Sequence, residues 1–160
     1  MANPLEAKID IAATPREVWA VVSDLKRMGE WSPECRQMHV LGGIVREGTT
    51  TFNINRKGFI VWPTRSKVVK FEPYKEIAFR ILEHGAVWSY ELEPNAGGTT
   101  VVERREIPTE ASTLSRLVKT LFGGVKTLFG DSDDNDDSDV DRINGMNTTL
   151  ARIKAEAERK

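Results

Sequence analysis

Cysteine and histidine are almost missing from this chain: one cysteine, Cys35, and two histidines, His39 and His84, stand among 160 residues. A lone thiol excludes an internal disulfide framework and suits a reducing, cytoplasmic setting. A zinc site needs several Cys or His ligands at set spacing, so neither a metal nor another cofactor is expected. His39 has no ligand-spaced partner, no Ser–His–acid set can be assembled, and nothing near Cys35 would activate it. A small buried thiol is the expectation for Cys35, and an exposed turn position for His84 before Gly85.

Long hydrophobic runs are missing too. The longest, Val18 to Val22 and Phe59 to Trp62, fall far short of the roughly 20 residues a membrane-spanning helix needs. The opening Met1-Ala-Asn-Pro-Leu-Glu6 has neither a basic region nor an apolar core, so no secretory signal is expected. Charge of one sign is not in excess: the formal net charge is -1, and no bulk attraction for nucleic acid follows. With 39% hydrophobic and 29% charged residues the composition is that of a globular chain, and its length suits one domain.

What is present is patterning. Ile9 and Ile11 alternate with Lys8 and Asp10, predicting a half-buried strand over Glu6 to Ala13. Thr14-Pro15-Arg16-Glu17 combines a capping hydroxyl, a proline preset for the first helical position and a capping-box glutamate. A helix to about Ser23 follows, then a second short one, Leu25 to Glu30, closed by Pro33. From Cys35 to Pro108 the period is two. Strands are predicted near Arg36–Leu41, Thr49–Arg56, Phe59–Phe71, Glu76–Glu83, Ala86–Glu93 and Thr99–Ile107, with turns short enough to force antiparallel pairing. Beyond them, Leu114, Leu117, Val118, Leu121, Phe122, Val125, Leu128 and Phe129 make one apolar helical face, interrupted by Gly123-Gly124. An acidic segment, Asp131 to Asp141, is expected to be a flexible loop. Val140, Ile143, Met146, Leu150 and Ile153 then continue the helical pattern, with Ser138 and Asp141 as its expected cap.

A twisted seven-stranded sheet curls, and its concave face needs a cover that only the C-terminal helix is long enough to supply. The expected class is α+β: a curved seven-stranded antiparallel sheet, two short helices after the first strand, a long C-terminal helix, and a cavity between them.

Several segments carry a family likeness: Thr14-Pro15-x-Glu17-x-Trp19, Ser23-Asp24-Leu25 and Glu30-Trp31-Ser32-Pro33-Glu34-Cys35. Further on come Trp88-x-Tyr90-x-Leu92-x-Pro94 with Gly97-Gly98-Thr99, and Gly145-Met146-x-x-Thr149-Leu150-x-x-Ile153-Lys154. In these the chain resembles the helix-grip superfamily of START lipid-transfer domains and the birch-pollen allergen, and within it the bacterial polyketide cyclase/dehydrase-type proteins. The resemblance spans nearly all of residues 1–160 and implies one helix-grip domain, with the acidic segment 130–139 flexible. It does not choose an activity, because members include carriers, cyclases, receptors and proteins of no assigned role.

The aromatic supply suits a pocket for a ring or lipid with a few polar groups. Trp19, Trp31 and Trp62 are candidate lining residues. Phe52, Ile54, Phe79, Ile81, Trp88 and Tyr90 are the expected inward-facing strand residues, with Leu117, Leu121 and Met146 from the helical side. Thr64 and Ser66 share the side of Trp62, and Glu103 shares that of Val101. Buried, Glu103 would need Arg65 or Arg105 as partner or would hold its proton, and could then act as a general acid or base. The plainer expectation has it facing solvent or pairing with arginine. An EF-hand reading of Asp131, Asp133 and Asn135 fails at Asp136 and Arg142, where glycine and glutamate are required. The basic stretch 112–130 is expected to serve as a lid over the pocket, opening to admit ligand, with transient membrane-surface contact as a second role. The leading expectation is non-covalent binding or transport of a lipid-like or polyketide-like molecule by a monomer or weak homodimer. An aromatase/cyclase or dehydratase is the runner-up, and a co-chaperone-like interaction module the third.

Overall fold

The computed structural model describes residues 4–108 and 136–159. Strand β1 (Leu5–Ile11) leads into helix α1 (Pro15–Val22) through a complete capping box. The Glu17 N–H donates to Thr14 Oγ1 at 3.2 Å and the Thr14 N–H to Glu17 Oε2 at 2.9 Å. The expected second helix is split into a 3-10 turn, Leu25–Arg27, and a single α-turn, α2 (Met28–Trp31), because Arg27 at φ -94°, ψ 5° falls between helical geometries. Gly29 lets α2 lie directly on the next strand: a Cβ there would sit 2.0 Å from the Arg36 carbonyl oxygen.

The remaining strands are β2 (Cys35–Val40), β3 (Thr50–Lys57), β4 (Ile60–Glu72), β5 (Glu76–Ile81), β6 (Val87–Asn95) and β7 (Gly98–Glu106). They form one curved seven-stranded antiparallel sheet in the order β1-β7-β6-β5-β4-β3-β2. Each strand from β2 to β7 pairs with its sequence neighbour, β2 with β3 across the longer connection 41–49 and the others through short turns, and the first strand closes on the last. Register shifts between Cys35 and Gln37 and between Val68 and Lys70 bend the sheet and bring Phe71 back to the face of Val68. At the opposite edge Gly98 (φ +149°) passes so close to β1 that a Cβ would lie 2.3 Å from the Ile11 carbonyl oxygen.

One long helix, α3 (Asp136–Ala157), lies against β1, α1 and α2. Met146, Leu150 and Ile153, spaced at four and three residues, are fully buried. Its end is tied to the start of the chain. Lys154 Nζ donates to the Asp10 carbonyl at 2.9 Å, and the Ala12 N–H to Glu158 Oε1 at 2.8 Å. Arg27 bridges Glu30 and Glu156.

The helix overturns part of the acidic-loop expectation. Residues 136–139 are helical, and Ser138 lies inside α3. The acidic run is accommodated because Asp139 pairs with Arg142 one turn on (3.1 Å) and Asp141 reaches Lys57 of β3 at 3.8 Å. Residues 130–135 lie outside the described residues, as does the stretch 112–130. No helix among the described residues is long and apolar enough to cross a membrane.

Candidate functional site

Residues paired across adjacent strands point to the same face, so the register sorts the candidates. The hairpin between β3 and β4 pairs Lys57 with Ile60 around Gly58 and Phe59, which sets Asn55 opposite Trp62, Asn53 opposite Thr64 and Thr51 opposite Ser66. All of these look toward the helices, and all but the half-buried Trp62 are buried. Continuing across the sheet, the same face carries Val68, then Ile77, Phe79 and Ile81 of β5, then Trp88, Tyr90 and Leu92 of β6. It ends with Val101, Glu103 and Arg105 of β7 and Ala7 of β1.

Two of the candidates are therefore misplaced. Phe52 and Ile54 occupy the outer face, where Phe52 is 40% exposed, instead of pointing inward. The alternation in β3 offers two readings one residue apart, and a one-residue change inverts every side chain. The polar set took the inside because its members satisfy one another. Thr51 donates to Asn53 Oδ1 at 2.8 Å and makes a short contact with Ser66, and the Asn53 amide reaches Thr64 at 3.2 Å and Ser66 at 3.4 Å. The Asn55 amide donates to Thr64 Oγ1 at 3.0 Å and to the Trp62 carbonyl at 3.3 Å. Thr51, Asn53 and Asn55 were not among the candidates. The two-residue turn Gly58-Phe59 is the signal that would have found them, since it couples them to Thr64 and Ser66.

The other candidates are distributed as follows. Phe79, Ile81 and Tyr90 are buried on the inner face, and Trp88 is half-buried there with the Arg105 guanidinium over its ring at 5.9 Å. Trp19 is buried at the α1 side, edge-on to Phe71 (5.4 Å) and Tyr74 (6.4 Å). Trp31 is buried on α2 with Arg27 over its ring, and Met146 is buried on α3. Leu117 and Leu121 lie outside the described residues.

Glu103 departs from its plainer expectation. It is 2% exposed. Its partner is neither arginine: Arg65 pairs with Glu83 at 3.0 Å on the outer side, and Arg105 stacks on Trp88. Instead the Tyr90 hydroxyl, directly opposite on β6, donates to Glu103 Oε1 at 3.1 Å. Oε2 is buried and has no hydrogen-bond partner among the described residues. Burial penalises the carboxylate and lifts the carboxyl to about 8, the Tyr90 hydroxyl pulling the other way. Burial, with Glu103 beside it, also pushes the Tyr90 phenol well above its ordinary value.

The sheet end beyond this pair is cationic but desolvated. Burial lowers Arg105 to about 10, with Arg142 adding to the effect. His84, expected to be exposed, is half-buried and held down to about 4 by burial and the nearby Arg105, so it stays neutral. Its Nδ1 accepts the Ala86 N–H at 3.3 Å, which builds the turn instead of a reactive centre. Cys35 is raised to about 11 by burial and is no thiolate at neutral pH. Among the described residues no three His, Cys, Asp or Glu side chains gather as a metal would require. A separate groove of about 330 Å³ runs along edge strand β2 beside Lys26, Arg36 and His39.

Known proteins resemble the whole of this arrangement. A polyketide-cyclase-like protein of Corynebacterium glutamicum is 29% identical, over 96% of this chain and 91% of its own, with a TM-score of 0.60. The Zhui aromatase/cyclase of a Streptomyces species superposes with a TM-score of 0.67 over 98% of this chain and 94% of its own at 17% identity, a likeness of fold. A protein of Thermus thermophilus matches at 17% identity over 97% of both chains, with a TM-score of 0.59. No curated protein matches the chain. The family model "Polyketide cyclase / dehydrase and lipid transport" matches residues 4–130, most of the chain, and reaches from β1 past the β7 carboxyl; the chain belongs to that family.

Proposed function

We propose that this protein binds an apolar small molecule, lipid-like or polyketide-like, non-covalently against the inner face of its sheet. The observation that carries the reading is Glu103 Oε2, a buried polar atom without a partner among the described residues, on the part of the inner face where Phe79, Ile81, Trp88 and Tyr90 stand. Buried polar groups in folded proteins are nearly always satisfied, and each exception calls for something to fill it. A carrier needs an apolar surface with few free polar groups, and the β5–β6 part of this face offers such a surface. The supply of polar hydroxyls and amides on β3 and β4 is already spent on internal bonds, which leaves the β6–β7 side as the reading's centre.

An aromatase/cyclase or dehydratase is the second reading, favoured by one observation: the Tyr90–Glu103 pair is a proton-holding carboxyl in an apolar setting, the kind of group that serves acid–base chemistry. Native mass spectrometry of freshly purified protein tests the first reading. A co-purified molecule at one per chain is expected. Protein that arrives empty and also ignores fatty acids, sterols and polyaromatic dyes would overturn it. Recovery of that molecule chemically changed after incubation would favour the second.

A further inference from the structure

We propose that Glu103 is the specificity-determining residue of this face, selecting ligands that bring an acceptor oxygen of carbonyl or ether type to its Oε2. This rests on the binding reading above and adds to it the atom that chooses. Oε1 is engaged by the Tyr90 hydroxyl, which donates to it at 3.1 Å. Tyr90 and Ala7 are the residues opposite Glu103 on the two neighbouring strands, so no cation from β6 or β1 faces the carboxyl. Of the two arginines that follow it on its own strand, Arg104 pairs with Glu6 and Glu91 on the other face and Arg105 is turned over Trp88. In that setting the neutral acid is the favoured form. With Oε1 accepting from Tyr90, the proton sits on Oε2, which has no hydrogen-bond partner among the described residues.

The result is a donor chain: Tyr90 O–H to Glu103 Oε1, then Glu103 Oε2–H to the ligand. Hydrogen bonds in such a chain strengthen one another in a low-dielectric site. A hydrocarbon placed there leaves the donor unpaired, whereas a carbonyl oxygen satisfies it. Discrimination by one neutral hydrogen bond is worth about a tenfold ratio of affinities. A trapped water is the competing occupant of Oε2, and it would remove that ratio.

The test uses matched planar probes that differ only in the oxygen: fluorenone against fluorene, and 2-acetonaphthone against 2-ethylnaphthalene. Binding to the whole protein is measured by equilibrium dialysis, and the bound ketone's C=O stretch is read by infrared spectroscopy. About tenfold tighter ketone binding is expected for the wild type, with the stretch moved to lower wavenumber. Glu103→Leu should bind ketone and hydrocarbon alike, with an unshifted band. Glu103→Gln keeps a donor at the same place and should keep the preference, so the inference stays testable if the leucine variant folds poorly. Equal binding of both probes to the wild type sinks this inference and leaves the binding reading standing. Binding of neither probe of either pair counts against both.

Discussion

Glu103 couples the site to stability through its proton. Its carboxyl is raised to about 8 in the folded protein by burial, against roughly 4.3 in an unfolded chain. Between these values the folded state holds a proton that the unfolded state has lost, so stability falls as pH rises from about 4 to 8 and levels off above. Each unit of the difference is worth about 1.4 kcal/mol, which amounts to a few kcal/mol in all. Glu103→Gln should flatten this slope and make the variant the more stable of the two at pH 9 in urea unfolding. A slope equal to that of the wild type would show that Glu103 ionises freely. Asn53 tests the polar ladder in the same way. Its side chain touches Thr51, Thr64 and Ser66 at 1% exposure, so Asn53→Ala strands buried hydroxyls and should lose about 1–3 kcal/mol. A loss under about 0.5 kcal/mol, the size of an ordinary surface change, would mean the network is idle.

Among the elements, α2 and β2 meet at a backbone-to-backbone contact that only glycine allows. Gly29→Ala places a methyl 2.0 Å from the Arg36 carbonyl oxygen, and one element must move. Overpacking of this kind costs typically 1–3 kcal/mol, visible as a lowered thermal midpoint. Gly97→Ala, whose Cβ would meet only the Asn95 side chain at 3.8 Å, is the control and should be nearly silent. The same scale shows how far local signals reached. The Thr14–Glu17 box and each antiparallel strand were legible because caps and period-two runs are set by neighbours in the chain. The inner face of β3 was not, because Phe52 and Ile54 are as apolar as an inward set should be. The choice fell to the hairpin register and to hydroxyl partners on another strand. Glu103 was legible as a residue whose burial would matter, but its partner was not. Tyr90 lies 13 positions away and meets it only through the β6–β7 pairing.

Across the whole molecule, the hold of α3 on the sheet joins the two ends of the chain. Ile153 is wholly buried where α3 meets the start of the fold, so Ile153→Ala should cost about 2–5 kcal/mol. Val140, 52% exposed on the same helix, should tolerate alanine with little change in urea unfolding. Equal losses at the two sites would mean that α3 is not anchored by its buried stripe. The surface pair Lys57–Asp141 at 3.8 Å is exposed on both sides and contributes little by itself.

By itself the amino-acid order determined the class of fold, the sequence of elements, the α1 cap and the family likeness, since all of these follow from spacing and residue type over short stretches. Only the tertiary structure decided which face of β3 looks inward, which side chain meets Glu103, and where in the acidic run the last helix already stands. Those outcomes depend on partners distant in the chain: a strand's two faces look alike until its neighbour supplies hydrogen bonds. A carboxyl keeps or loses its proton according to which groups the sheet brings beside it.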